Sequence, residues 1–491
     1  MKQLTDFLNK LRGAADSDLS FPLEKRQEQL STLYLFFIFI LCFVKLQPYP
    51  LPQLDDLPHA GVALSILQTG DWFTMHHGTA LNWWKPPLHF WIQAAFFKLF
   101  GVTEYWTRFP TAVTGFLTFL LAFKTARRLF GPRTAFFTLF VLSTSLFFLR
   151  FTQRSMMDMP AAFALALGVY AAVLAAKSSP KYFLLFGLSI ALGYHFKGLQ
   201  GLYPLAVIPL YLLASGRWAE LFNRWFLAAL ALGFGLIAAW VVPQYLMHGN
   251  EFLNSLSGIG PLLDNGIPGR ENPFYRPTKE LFRMFYWSAF SFYGMWLVLK
   301  DSRTPEGREA AAALFPWFWV VMAALSVSGA FGVRYLIPAL VPAGIFAAVA
   351  LNKLVKPGFY RYFQHFAVIL FGLAVLFVAL LPVPPAKEPS KYISLFQTVR
   401  TIAEPGDRVV SYKDQSYIFN DGLVFYSSRE LDRQVFSTEE LMAEPIPPQR
   451  KTVVIVIPKY YSETESLIRQ KRLLRLAADK NWTLFQLLPK N

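Results

Sequence analysis

Apolar runs dominate the chain between residues 33 and 381, and short polar links separate them. Runs such as 225–246 and 331–351 are long enough to cross a hydrocarbon core, which takes about 20 helical residues. Others, such as 182–194, are short and need flanking residues, tilt or burial in a bundle. The pattern predicts about eleven membrane helices, near 31–47, 108–126, 134–150, 159–176, 182–196, 199–215, 225–246, 284–299, 311–328, 332–351 and 363–382. The first of these reads as a retained span, because no small-residue cleavage site follows Val44. With the start of the chain inside, an odd count puts 48–107, 151–158, 247–283 and everything after 382 on the outer face. The tight links around Lys197 and Arg334 fall there too.

The first outer segment has its own organisation. Residues 58–68 read as a helix with an acidic start at Asp55 and Asp56 and a stop around Thr69 and Gly70. After Lys85-Pro86-Pro87, the run LHFWIQAAFFKLFG reads as an interfacial helix stopped by Gly101. The paired prolines fix the chain leading into it and so hold Lys85 in place. Beyond the last span, PVPPAKEPS is a linker. RVVSY, LVFYS and TVVIVIP then read as strands, and SETESLIRQKRLLRLAADK as a helix. The predicted architecture is therefore a multispan α-helical membrane part, 1–382 including the outer loop 48–107, and a small soluble α/β domain over 383–491.

Composition sharpens this picture. The chain is 54% hydrophobic and only 16% charged, against about 25% charged in an average soluble domain. Its net charge of +16 invites a nucleic-acid reading, but the basic clusters lie between spans. Lys25 and Arg26, Arg127, Arg128 and Arg133, Lys177 and Lys181, Arg217 and Arg224, Arg303 and Arg308, and Lys353, Lys356 and Arg361 all fall on the inner side. That is the positive-inside pattern, so membrane topology explains the charge and no nucleic-acid partner is expected. The single cysteine, Cys42, excludes an intramolecular disulfide and a thiolate metal cluster.

Polar residues that break the apolar pattern are candidates for chemistry, since ionisable groups in a membrane protein are costly outside a solvated cavity. Arg150, Arg154, Lys197 and Arg334 violate the charge rule, yet all fall on the face that carries Asp55 and Lys85. Plainer readings stand beside this one. The loop around Trp83 and Trp84 suits an interfacial anchor. Asp55 and Asp56 suit helix capping, and so does Asp158, just before Pro160. Lys197, next to Gly198, suits an interfacial anchor.

Taken in order, LDDLPHAGVALSILQTGDWF, NWWKPPLHFWIQAAFFKLFGVTEYWTRFP, TARRLFGPRTA, QRSMMDMP, HFKG and RYLIP resemble the GT-C membrane glycosyltransferases. The bacterial aminoarabinose-transferase and protein O-mannosyltransferase-like group is the nearest resemblance. It covers about residues 54–338, and the tail resembles the outer-face domain that many such enzymes add.

The resemblance implies transfer of a sugar from a polyprenyl-phosphate donor to a lipid, glycan or protein acceptor at the outer face of a bacterial cytoplasmic membrane. Asp55 takes the place of the catalytic acid that deprotonates or orients the acceptor hydroxyl. Lys85, Arg334 and Lys197 are placed at the donor phosphate, where cations stabilise the departing charge. Asp56, His59, Trp83, Trp84, Arg154 and Asp158 would shape the site, with Asp158 orienting Lys85 or Arg154. Related lipid A aminoarabinose transferases commonly carry Glu before the KPP lysine; this chain has Trp84. The 247–283 loop also lacks the histidine that often accompanies that Glu, His248 being only at its edge. The resemblance thus allows a divalent metal ion but fixes no ligands for it, and no other cofactor is implied. A transporter or flippase of a lipid-linked sugar is the alternative reading, as polar groups inside a bundle suit it too.

Overall fold

The computed structural model describes residues 25–47, 51, 55–77, 80–82, 85–257, 275–327, 332–381, 392–404, 406–413, 417–427, 433–446, 449–470 and 472–489. The chain forms two compact units: 1–44 with 111–382, and 45–110 with 383–491.

The first unit is a helical bundle. Among the described residues, seven helices are long and apolar enough to cross a membrane: Glu104–Phe130, Asp158–Lys177, Pro180–Gly201, Arg224–Ser255, Pro305–Val327, Val333–Leu354 and Pro357–Leu380. The pair Pro132–Thr144 and Leu146–Thr152, bent by 78°, makes an eighth if counted as one span. The expected eleven exceeds this count because some apolar runs fold into shorter helices. Tyr203–Ala214 has 12 residues and Ser288–Asp301 has 14. At 1.5 Å per residue these reach roughly 18–21 Å, short of a core about 30 Å thick. The first helix, over 25–43, begins with Lys25, Arg26 and Glu28. Val333–Leu354 is largely enclosed by its neighbours, whereas Arg224–Ser255 and Pro357–Leu380 leave most of their apolar surface uncovered, as lipid-facing helices do. Cys42 is buried in the bundle as a free thiol.

Helix Asp158–Lys177 packs on Phe183–Lys197, which packs in turn on Arg224–Ser257. Two glycines permit one local approach. A Cβ on Gly201 would lie 1.7 Å from the Gly193 carbonyl oxygen, and one on Gly193 would lie 2.1 Å from that of Gly201. Backbone meets backbone there, so the 3₁₀ turn Gly198–Gly201 folds flat against the helix it follows. That fold-back fixes the end of the helix, where Lys197 sits.

The second unit joins the first outer segment to the tail. Its five-stranded sheet runs in the order Arg433–Val435, Arg408–Tyr412, Thr452–Val456, Trp482–Leu487, Leu473–Asp479. The first three strands are parallel and the last two pairings antiparallel, with Val410 opposite Val454 and Val454 opposite Phe485. Alternate residues serve opposite faces. Val409, Val453 and Ile455 pack with Leu395, Phe396 and Leu423, while Val410, Val454 and Val456 pack with Leu441 and Leu467. The sheet is therefore covered by helices on both sides.

Two tail segments differ from the sequence expectation. LVFYS lies in the helix Tyr417–Ser427, not in a strand. Leu423 is fully buried in one face of the core, and the same helix packs on Asp56–Thr69. Packing on two partners overrides the β preference of a Val/Phe/Tyr run. The expected long helix ends at Arg469, and Leu473–Asp479 is an edge strand. A two-residue turn at Lys480 and Asn481 pairs Asp479 with Trp482, so the segment completes a hairpin.

Candidate active site

Asp55 and Asp56 open the helix Asp56–Thr69, as the acidic start predicted. Asp55 is half-buried and its carbonyl accepts the His59 N–H at 3.1 Å; Asp56 is fully buried. Carboxylates at this end meet the positive pole of the helix. The helix stops at Gly70, whose φ of 72° places it in the left-handed region and whose N–H donates to Ile66.

His59 is buried one turn in, edge-on to His89 at 5.6 Å and Phe90 at 5.7 Å between ring centroids. His89 lies in the first turn of the helix Leu88–Phe100, is fully buried, and neither ring nitrogen has a hydrogen-bond partner among the described residues. Burial, reinforced by the neighbouring His59, pushes the His89 imidazole well below the usual histidine range, so the ring is held neutral. Sequence reasoning overlooked His89, whose only signal was a polar residue inside the apolar LHFWIQ run.

Lys85 is half-buried beside the buried pair Pro86 and Pro87 that leads into Leu88–Phe100. Trp83 and Trp84 lie outside the described residues. The preceding loop is tied by Asp71, whose carboxylate accepts the N–H groups of Phe73 and Thr74 at 2.9 Å and contacts His76 Nε2 at 3.1 Å. The tail braces the same unit: the Tyr426 hydroxyl accepts the Leu51 N–H at 2.9 Å.

The bundle holds the other group. Asp158 lies in the first turn of Asp158–Lys177, and Lys197 is the last residue of Phe183–Lys197. Their side chains form a buried ion pair, with Lys197 Nζ donating to Asp158 Oδ1. Arg334, in the 3₁₀ turn Val333–Leu336, places Nε 3.6 Å from Asp158 Oδ2. Tyr335 binds both cations: its ring centre is 4.4 Å from Lys197 Nζ and 5.0 Å from Arg334 Cζ. Tyr203 lies within electrostatic reach of Asp158 and Tyr335.

The structure thus gathers Asp158, Lys197 and Arg334 into one cluster, and places Asp55, Asp56 and His59 on one helix start in the other unit. Arg154 is half-buried in the link before Asp158–Lys177. The contacts of Asp158 with Lys197 and Arg334 were not foreseen, nor was the role of Tyr335, since the four residues come from three separate stretches of sequence. Among the described residues, no group of three or more His, Cys, Asp or Glu side chains is arranged to hold a metal ion.

A multispan helical bundle with a small mixed-sheet unit is the architecture of the GT-C fold. The family model described as dolichyl-phosphate-mannose-protein mannosyltransferase matches residues 84–242. An uncharacterised protein of Aquifex aeolicus (strain VF5) is 28% identical over 327 residues, 65% of this chain and 64% of the relative. The undecaprenyl phosphate-α-4-amino-4-deoxy-L-arabinose arabinosyl transferase of Aeromonas hydrophila is 26% identical over 365 residues, 70% of this chain and 64% of the relative. The matched region therefore spans a little under two thirds of either relative. The crystal structure of ArnT from Cupriavidus metallidurans in the apo state aligns with a TM-score of 0.72 at 18% identity, covering 93% of this chain and 97% of that one. The same protein bound to undecaprenyl phosphate aligns with a TM-score of 0.70 over the same shares. The chain has the GT-C fold and is related to the aminoarabinose-transferase and protein-mannosyltransferase families.

Proposed function

We propose that this protein is a membrane glycosyltransferase that moves a sugar from a polyprenyl-phosphate donor to a lipid, glycan or protein acceptor of the cell envelope. The observation that carries the reading is the convergence of Lys197 and Arg334 on one buried carboxylate, in a chain of this fold. Cationic groups are retained inside an apolar bundle where they serve an anion, and a donor phosphate is such an anion. The fold likeness to a protein crystallised with undecaprenyl phosphate supports the same donor class.

In the proposed reaction, Asp55 accepts the proton of the acceptor hydroxyl as its oxygen attacks the anomeric carbon. The bond from that carbon to the phosphate oxygen breaks, and the polyprenyl phosphate leaves with one more negative charge. Lys85, Arg334 and Lys197 stabilise that charge more in the transition state than in the bound donor. A guanidinium suits a phosphate through paired N–H donors. Asp158 positions Lys197 and Arg334, while Asp56, His59, Trp83, Trp84 and Arg154 shape the surroundings. A single displacement inverts the anomeric centre.

The eight spans and the helix over 25–43, together with Tyr203–Ala214 and Ser288–Asp301 if flanking residues and local thinning of the bilayer make up their missing length, give the eleven crossings of the topology we favour. In that topology the protein lies in the bacterial inner membrane, with a transmembrane part over 1–382 and an outer-face domain over 383–491. The basic links on the inner side support this orientation.

The test is transfer of labelled sugar from a synthetic polyprenyl-phosphate sugar to a membrane-fraction acceptor by purified protein. Asp55→Asn keeps the size of the side chain and removes the base, so turnover should fall by about 100-fold or more with donor binding retained. Full activity of Asp55→Asn would remove Asp55 from the mechanism. Movement of the donor across a vesicle membrane without transfer would favour the flippase reading instead.

A further inference from the structure

A polar cavity lies in the bundle, far from the Asp158 cluster. It has a volume of about 630 Å³ and is lined by Thr134, Lys300, Asp301, Gly307, Asn352 and Lys353, with apolar walls that include Leu129, Leu297 and Val349. Arg334 and Lys353 mark opposite ends of the 18-residue helix Ile337–Leu354, which separates them by roughly 27 Å. The cavity is therefore no extension of the proposed site.

Its construction suits an anion. Thr134 belongs to the first turn of Pro132–Thr144, where the helix dipole favours negative charge, while the Gly307 N–H, in the first turn of Pro305–Val327, is already capped by the Thr304 hydroxyl at 3.0 Å. Lys300 and Lys353 come from the last turns of Ser288–Asp301 and Ile337–Leu354. Asp301 is the one acid in the lining. Thr134 is fully buried, and its hydroxyl has no partner among the described residues. Thr138, one turn on, bonds the Thr134 carbonyl at 2.9 Å, but the first turn offers Thr134 no such helical acceptor. A buried hydroxyl without a partner costs stability unless a ligand or water completes it. The wall is held in place by Arg133, which donates to the Val355 carbonyl and lies 4.8 Å from the Tyr360 ring centre.

We infer that this cavity binds the phosphate of an anionic phospholipid. Phe130, Gly307 and Lys353 lie in terminal turns of three span-length helices, which is the level of lipid headgroups. Basic pockets between helices at that level recognise anionic headgroups. Leu129, Leu297 and Val349 continue the cavity with the apolar surface that an acyl chain needs. Lys300 and Lys353 pair with the phosphate, Asn352 and Thr134 hydrogen-bond the headgroup, and the site acts as a lipid clamp at the far end of the bundle.

The experiment measures lipid retention by native mass spectrometry of the purified full chain. Phosphatidylglycerol, phosphatidylcholine and glycerol 3-phosphate are compared, and thermal unfolding is followed in parallel. Phosphatidylglycerol should be retained and raise the Tm, whereas the other two should do neither. Lys300→Gln/Lys353→Gln should weaken that retention roughly tenfold. Thr134→Val should raise the lipid-free Tm, by removing an unpartnered buried hydroxyl, yet lower phosphatidylglycerol retention. Retention unchanged in either variant, or equal retention of phosphatidylcholine, would overturn the proposal. Equal binding of glycerol 3-phosphate would replace the lipid by a soluble phosphate compound and overturn it as well. None of these readouts depends on sugar transfer.

Discussion

Asp158 and Lys197, at the start of one helix and the end of the next, form an ion pair whose side chains are 3% and 6% exposed. A buried pair of this kind adds little net stability when intact, but losing one partner leaves an uncompensated charge. Asp158→Asn should therefore destabilise the protein by about 3–5 kcal/mol. The double variant Asp158→Asn/Lys197→Met should recover much of that loss. Thermal unfolding of the purified variants gives the comparison, and an unchanged Tm for Asp158→Asn would show that the pair is energetically idle.

Lys85 and Arg334 are assigned to the donor phosphate, and the prediction is one of discrimination. Truncating either to Ala should cost roughly 2–5 kcal/mol of binding to a phosphate-bearing donor analogue. Affinity for a phosphate-free analogue should hardly change. Equal losses for both analogues would mean that the residue does not read the phosphate.

His89 sets a pH dependence. Its pKa in the folded protein is depressed by burial, next to His59. The unfolded chain therefore binds a proton that the folded protein refuses, over the window between the folded pKa and the ordinary histidine value near 6.5. Stability from this group is complete above that window. It declines as pH falls through it, by up to about 1.4 kcal/mol per pH unit. His89→Phe should flatten the decline in a Tm-against-pH series; an unaltered slope would assign the dependence to other groups.

For metal dependence, we expect turnover to survive chelation with at most a modest decrease. By the family resemblance, Trp84 stands where lipid A aminoarabinose transferases commonly carry a glutamate, and among the described residues no three or more histidines and acids group as a ligand set. Assays after chelation, with separate additions of Mg²⁺, Mn²⁺ and Zn²⁺, decide the matter. Loss of activity restored by one ion would direct attention to Asp55 and Asp56.

Much of the local structure was legible in the chain. The helix starting at Asp56 and ending before Gly70, and the one ending at Gly101, follow from an acidic start and glycine stops. Strands Arg408–Tyr412 and Thr452–Val456 follow from compact β-branched runs. Span count was less legible, because an apolar run of a dozen residues reads alike whether it crosses a bilayer or fills a bundle. LVFYS misled for a related reason: its partners, Asp56–Thr69 and the sheet core, are hundreds of residues away or across the fold.

The sequence by itself determined the membrane class, the main helices and which polar residues were out of place. Those properties follow from local hydropathy and from turn chemistry, which depend on neighbouring residues. Only the tertiary structure decided that Asp158 pairs with Lys197 and Arg334, that Tyr335 backs both cations, and that His89 is shut away beside His59. Such pairings depend on how helix ends are brought together. Here that rests on a glycine-to-glycine contact between Gly193 and Gly201, whose effect on Lys197 appears only once the chain is folded.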